Sequence, residues 1–194
     1  MVLFINACLR AKQSRTKSLC DSFLEEYARL HPEEAIETVD LCTDHYNCLT
    51  SKAVEERDAL VLAQNLTHPT LAPALRFAKA DKLVIGAPYW DVSFPAALKC
   101  YIENICVNGV TFLYTPLGPK GLCNAKKMLY ISTTGGPVPG KNAGFAYMEE
   151  LCNTLLGIND CAYFAAGMLD VEGQDVSALL EQARTELLAA APSF

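Results

Sequence analysis

The chain predicts an α/β protein, an open five-stranded parallel sheet covered on both faces by helices, and three observations carry that prediction. Short apolar runs alternate with longer segments of helical period, the order a parallel sheet imposes because each crossover needs a helix. Loops rich in proline, glycine and hydroxyl side chains follow several of the apolar runs. The 194 residues, 51% hydrophobic and 20% charged, suffice for one well-buried core and not comfortably for two. Residues 1–194 are therefore read as a single domain.

Strands are expected near 2–6, 35–40, 82–87, 126–131 and 160–167. The helix after the first strand carries Leu19, Phe23, Tyr27 and Leu30 on one face. The helix after the third begins near Phe94 and carries Phe94, Leu98, Tyr101, Ile102 and Ile105. A further helix near 143–156 presents Phe145, Met148, Cys152, Leu155 and Leu156. It stops at Gly157, a residue favoured just past a helix end because it takes left-handed backbone without strain. The last helix presents Val176, Leu179, Leu180, Ala183 and Leu187. Two regions leave the alternation: 41–80, where Pro69 and Pro73 interrupt a helical pattern, and the turn-rich 115–125. Both are read as excursions that line a site. Tyr101, Ile105 and Val107 are read as an exposed apolar row suited to a partner surface.

Composition excludes several function classes. A net charge of −6 disfavours nucleic acid and anionic membranes as partners, so any phosphate must be held by a local site. No apolar run reaches membrane-spanning length, and residues 1–6 lack the basic start and cleavage site of a secretion signal. Nine cysteines are an odd number, no pair has Cys-x-x-Cys spacing, and the three histidines are scattered. Free thiols in a cytoplasmic protein are expected, with no bound metal.

Three loops follow the carboxyl ends of the first, third and fourth strands and should meet at one sheet edge, where open α/β folds bind ligands. The first runs from Ala7 and Cys8 through Arg10, Ser14, Arg15, Thr16 and Lys17 into a helix. The Ser14 and Thr16 hydroxyls, free N–H groups and the positive helix end suit a phosphate, with Arg15, Lys17 or Arg10 adding charge. The same hydroxyls equally suit an ordinary helix cap with solvated basic neighbours. Neither a P-loop nor a Gly-x-Gly-x-x-Gly fingerprint follows this strand, so the ligand is a monophosphate rather than a nucleoside triphosphate or dinucleotide.

The second loop, Pro88-Tyr89-Trp90-Asp91-Val92-Ser93-Phe94-Pro95, offers aromatic rings and backbone groups to a flat heterocycle. An aromatic pair that merely packs over the sheet edge is the plainer reading. Asp91 is placed to cap the next helix. The third loop, Ser132-Thr133-Thr134-Gly135-Gly136-Pro137, offers N–H groups that a ligand can approach closely because glycine has no side chain, although Gly-Gly is common in ordinary loops. A phosphate receptor, an aromatic loop and an amide-rich loop match the phosphate, ring and pyrimidine edge of flavin mononucleotide (FMN).

Residues Pro88 to Lys99, followed by Gly109-Val110-Thr111-Phe112-Leu113-Tyr114, Gly118-Pro119-Lys120-Gly121-Leu122 and Ser132 to Gly136, resemble the FMN-dependent NADH:quinone oxidoreductase and azoreductase family over most of the chain. The resemblance implies a flavodoxin-like three-layer fold with strand order 2-1-3-4-5 and a homodimer. It further implies two-electron, ping-pong reduction of quinones and azo compounds by NADH or NADPH on bound FMN, the two substrates using one face in turn. By the same resemblance Cys8, Ser14, Arg15 and Thr16 fall on the phosphate loop, Pro88, Tyr89, Trp90, Asp91 and Val92 on the ring loop, and Thr133, Thr134, Gly135 and Gly136 on the pyrimidine-edge loop. Cys8 stands where relatives usually place Ser, Asp91 where many have Asn, and Thr134 where some have Arg. A thiol is a poorer phosphate partner than a hydroxyl, which shifts weight onto Arg15. No side chain is assigned as acid or base; His45 and Tyr114 read as a surface and a packing residue.

Rival readings on the same architecture are an FMN or iron reductase and a non-catalytic electron carrier. A carrier should hold a stable one-electron-reduced state and turn over little NAD(P)H. A phospho-acceptor domain is disfavoured because Asn6-Ala7-Cys8 replaces the acidic pair expected after the first strand.

Overall fold

The computed structural model describes residues 1–140 and 142–194. In chain order the elements are β1 (Val2–Asn6), α1 (Arg15–Leu30), β2 (Ile36–Asp40), α2 (Ser51–Leu62), α3 (Ala72–Lys79), β3 (Lys82–Gly86), α4 (Ala96–Ile105), β4 (Phe112–Thr115), β5 (Gly118–Gly121), β6 (Lys127–Thr133), α5 (Ala143–Leu151), β7 (Asp160–Ala166) and α6 (Val176–Leu188). Five strands form one parallel sheet in the order β2-β1-β3-β6-β7. Counting the sheet strands alone, this is the expected 2-1-3-4-5.

Alternation along each strand divides the core into two layers, since successive side chains point to opposite faces. Val2, Phe4, Val84, Leu129 and Ile131 meet Leu19, Phe23 and Tyr27 of α1 and Ala183 and Leu187 of α6. Leu3, Ile5, Leu83, Ile85, Met128 and Tyr130 meet Phe77 of α3, Leu98, Tyr101 and Ile102 of α4, and Met148 of α5. The central strands β1, β3 and β6 are thus buried on both sides, which explains their unbroken apolar runs.

The structure revises four expectations. Tyr101, Ile105 and Val107 are each 1% exposed, so the expected partner row is core. The third-strand helix begins at Ala96 and not near Phe94, because Pro95 clashes with helical backbone at the residue before it. Phe94 packs edge-on against Tyr147 instead, ring centroids 5.5 Å apart. In 41–80, Pro69 and Pro73 start helical turns rather than interrupt one, sitting at first-turn positions where a missing N–H costs nothing. The turn-rich 115–125 contains most of an antiparallel hairpin, β4 with β5, outside the main sheet.

That hairpin docks on the end of α5, which continues as one π-helical turn over Cys152–Leu156 and closes at Gly157 with φ +75°. The approach is so close that a Cβ on Gly121 would lie 2.2 Å from the Leu156 backbone.

Candidate functional site

A cleft of about 300 Å³ opens at the carboxyl edge of the sheet. It is lined by Arg10, Gln13, Ser14, Arg15 and Thr16, by Pro88, Tyr89 and Trp90, by Thr133, Thr134 and Gly135, and by Leu169 and Asp170. The three expected loops converge, as parallel topology demands, because all follow carboxyl ends of adjacent strands.

The first wall is the start of α1. Ser14 sits at the N-cap in extended backbone, and its Oγ accepts the N–H of Lys17 at 3.2 Å. Among the described residues the N–H groups of Arg15 and Thr16 meet no acceptor, so two donors and the positive helix end face the cleft. Arg15 Nη1 lies 2.7 Å from Asp170 Oδ1 in an exposed ion pair. Thr16 is fully buried, and its hydroxyl shares a 2.6 Å hydrogen bond with that of Thr133. This bond ties the first turn of α1 to the end of β6.

The second wall is the aromatic loop. Tyr89 N–H donates to the Thr133 carbonyl at 3.0 Å, continuing the sheet pairing by one step. Trp90 and Ser93 then exchange two backbone hydrogen bonds, 3.2 and 2.7 Å, around Asp91 and Val92. Both central residues have positive φ, +50° and +64°, as a tight primed turn requires, though neither is glycine and Val92 is β-branched. The Arg10 guanidinium lies 5.7 Å from the Trp90 ring centroid, a cation–π distance.

The third wall turns out to be two loops latched together. Thr134 N–H donates to Ala166, Met168 N–H to Gly136 and Asp170 N–H to Gly135, at 2.9, 2.6 and 2.9 Å. Thr134 Oγ1 donates to the Gly136 carbonyl at 2.7 Å. These bonds use the Thr134 N–H, whereas among the described residues those of Gly135 and Gly136 find no acceptor. A Cβ on Gly135 would meet Asp170 Oδ2 at 2.5 Å, so a side chain there would displace the carboxylate that pairs with Arg15.

Four expected site residues do not line the cleft: Cys8, Asp91, Val92 and Gly136. Cys8 is 1% exposed because the chain runs on beside β3 after Asn6, with Ala7 N–H and the Cys8 thiol both donating to the Gly86 carbonyl. Burial pushes its thiol up to about 12, which leaves it neutral. Asp91 does not cap α4, whose N-cap is Pro95, since the primed turn points it outward. Val92 is 71% exposed at the turn tip. Neither 41–80 nor 115–125 contributes to the lining, contrary to expectation. The sequence reading omitted Gln13 and the loop after β7 with Leu169 and Asp170; the rule that every carboxyl-end loop reaches this edge would have included the latter.

Comparison with known proteins agrees with this geometry. A family described as having the flavodoxin-like fold matches residues 1–191. The FMN-dependent NADH:quinone oxidoreductase 2 of Clostridium acetobutylicum is 40% identical over 185 residues, covering 92% of each chain. The FMN-dependent NADH:quinone oxidoreductase of Clostridium beijerinckii is 36% identical over 197 residues, covering 100% of this chain and 98% of its own. Among solved structures, an FMN-dependent NADH-azoreductase from Bacillus anthracis in complex with FMN is 26% identical with a TM-score of 0.85, covering 99% of this chain and 97% of that one. With the fold, the convergent loops and full-length identity in agreement, the chain belongs to the FMN-dependent NADH:quinone oxidoreductase family of flavodoxin-like proteins.

Proposed function

We propose that this protein is an FMN-dependent NAD(P)H oxidoreductase that reduces quinones, and azo compounds, by two electrons in ping-pong order. The observation that carries the reading is one cleft with unpaired N–H donors at both ends, those of Arg15 and Thr16 at one and that of Gly135 at the other, beside the Tyr89–Trp90 loop. That arrangement fits a phosphate, a flat ring and a polar ring edge. FMN, when bound, supplies the two-electron redox chemistry.

The chain's own residues bind and orient. The Ser14 hydroxyl, the N–H groups of Arg15 and Thr16 and the Arg15 guanidinium hold the phosphate, with Arg10 adding charge. Pro88, Tyr89 and Trp90 wall the ring, and the strained turn at Asp91 and Val92 sets the loop's path. The Gly135 N–H bonds the pyrimidine edge and favours negative charge there, with Thr133, Thr134 and the Gly136 carbonyl holding that loop in place. Buried Cys8 supports the phosphate loop from beneath. His45 and Tyr114 are outside the lining.

The same reading takes residues 1–194 as one domain, a homodimer and a cytoplasmic location. Exposed Tyr114 and Leu117 on the β4–β5 hairpin support a self-contact, and nine unpaired thiols support a reducing compartment. No helix among the described residues is long and apolar enough to cross a membrane.

The test is an anaerobic stopped-flow experiment on the FMN-loaded protein. Rapid bleaching of the flavin band by NADH or NADPH, then recovery on adding a quinone, is expected. FMN bound without bleaching would overturn the enzymatic reading, and no FMN binding would overturn the site. Light scattering reads the oligomeric state.

A further inference from the structure

Two of the nine thiols are placed to react with each other. Cys48 lies in the irregular segment 41–50 that follows β2, and Cys100 lies in α4; their Sγ atoms are 3.2 Å apart across 52 residues of chain. That is closer than van der Waals contact between sulfurs, a thiol–thiol hydrogen bond about 1.2 Å longer than a disulfide bond. Neighbouring bonds hold the contact in place. Asn104, one turn along α4, donates through Nδ2 to the Asn47 carbonyl at 3.0 Å and to the Cys100 carbonyl at 2.8 Å.

We propose that Cys48 and Cys100 form a reversible intramolecular disulfide when the protein meets hydrogen peroxide, which pins segment 41–50 to α4. Exposed Cys48 reacts first: its sulfur attacks the peroxide, the O–O bond breaks, and a sulfenic acid and one water form. The half-buried Cys100 sulfur then attacks the sulfenic sulfur, and the S–O bond breaks as the hydroxyl leaves with the Cys100 proton as a second water. Two thiols have lost two electrons, and the peroxide has gained them. A small dithiol reverses the step by exchange.

Six of the other seven thiols are poorer candidates, and the rival is half-buried Cys161, which a hydrogen bond from buried Cys152 holds below its ordinary value. Cys8, Cys20, Cys123 and Cys152 are buried, and burial pushes Cys8 and Cys123 up to about 12. Cys106, half-buried, is pushed up to about 11 for the same reason. Cys100 itself is raised by its hydrogen bond with the Cys48 sulfur, consistent with its role as the second, resolving thiol.

Segment 41–50 also connects to the phosphate loop. Asp40 Oδ1 accepts from both Asn6 Nδ2 and Cys42 N–H at 3.0 Å, and the Cys42 thiol donates to the Cys8 carbonyl at 3.3 Å. Pinning the segment therefore stiffens the approach to the cleft.

The full-length protein as purified is treated with one equivalent of hydrogen peroxide, then its thiols are counted under denaturing conditions and its peptides mapped. The nine free thiols should fall to seven, with Cys48 linked to Cys100, and dithiothreitol should restore all nine. The oxidised form should melt higher by roughly 5 °C, since a crosslink over a long loop restricts the unfolded chain. Cys48→Ser, at an exposed site, should keep its eight free thiols under the same treatment, whereas Cys100→Ser, which retains the attacking sulfur without the resolving one, should fall from eight to seven with Cys48 left as a sulfenic acid. Nine thiols surviving a tenfold excess, over-oxidised Cys48, a Cys152–Cys161 link or a link between two chains would each overturn the proposal.

Discussion

Replacing Thr16 by Val tests whether the tie between α1 and β6 holds the cleft together. The Thr16 and Thr133 hydroxyls are 2.6 Å apart, Thr16 is fully buried and Thr133 is 9% exposed. Valine keeps the shape of threonine, so Thr16→Val creates no cavity and removes only the hydrogen bond. A buried polar group stripped of its partner costs about 1–3 kcal/mol. Thr133 borders the cleft and can recover part of that from water, which places the expected loss at about 1–2 kcal/mol. Thr133→Val should cost rather more, because the hydroxyl it strands on Thr16 has no access to water. The double variant leaves no orphan, so its loss should fall below the sum of the singles by about 1 kcal/mol. Urea unfolding of all four proteins without FMN measures this coupling. FMN affinity should fall with either single change, since the Arg15 and Thr16 donors and the Gly135 loop lose their fixed spacing. Additive single effects would refute the tie.

Four further outcomes follow from the same geometry. Asp170→Asn frees Arg15 for the phosphate and should tighten FMN binding roughly two- to fivefold, the worth of an exposed ion pair, while leaving riboflavin unchanged; equal shifts for both flavins would count against Arg15 as a phosphate ligand. Replacing Asp91 and Val92 by Asn and Gly relieves two left-handed backbones and should add about 1–2 kcal/mol to stability in urea, after the entropy cost of glycine. Gly121→Ala drives a Cβ into backbone at Leu156 and should cost about 3 kcal/mol; a change under about 1 kcal/mol would mean the hairpin is not seated on the π turn. The hydrogen bond from the Lys82 ammonium holds Glu34 below its ordinary 4.5, so its contribution is fully present above pH 4.5 and is lost as pH falls through the lower folded value. Lys82→Met should flatten that acid limb in pH-dependent melts, and an unchanged limb would exclude the pair as its source.

The strands and most helices were legible because their signals are local. Alternating and unbroken apolar runs mark how many faces of a strand are covered, and Gly157 marks a helix end by its own backbone preference. The convergence of three loops was legible for the same kind of reason, since parallel topology puts carboxyl ends on one edge. Ser14 shows where legibility ran out: one hydroxyl served the cap and the phosphate readings alike, and the structure shows the cap, with Oγ accepting from Lys17 N–H at the rim of the cleft.

Local pattern determined the fold class, the strand positions and the loops that could hold a ligand. Long-range contact decided the rest. Cys8 turns inward because β3 lies beside it, Tyr101, Ile105 and Val107 are buried because other elements cover them, and Asp170 reaches Arg15 across 155 residues. A periodicity records which face of an element is apolar, but what covers that face, and which side chains meet across a cleft, depends on residues too distant in sequence to leave a local trace.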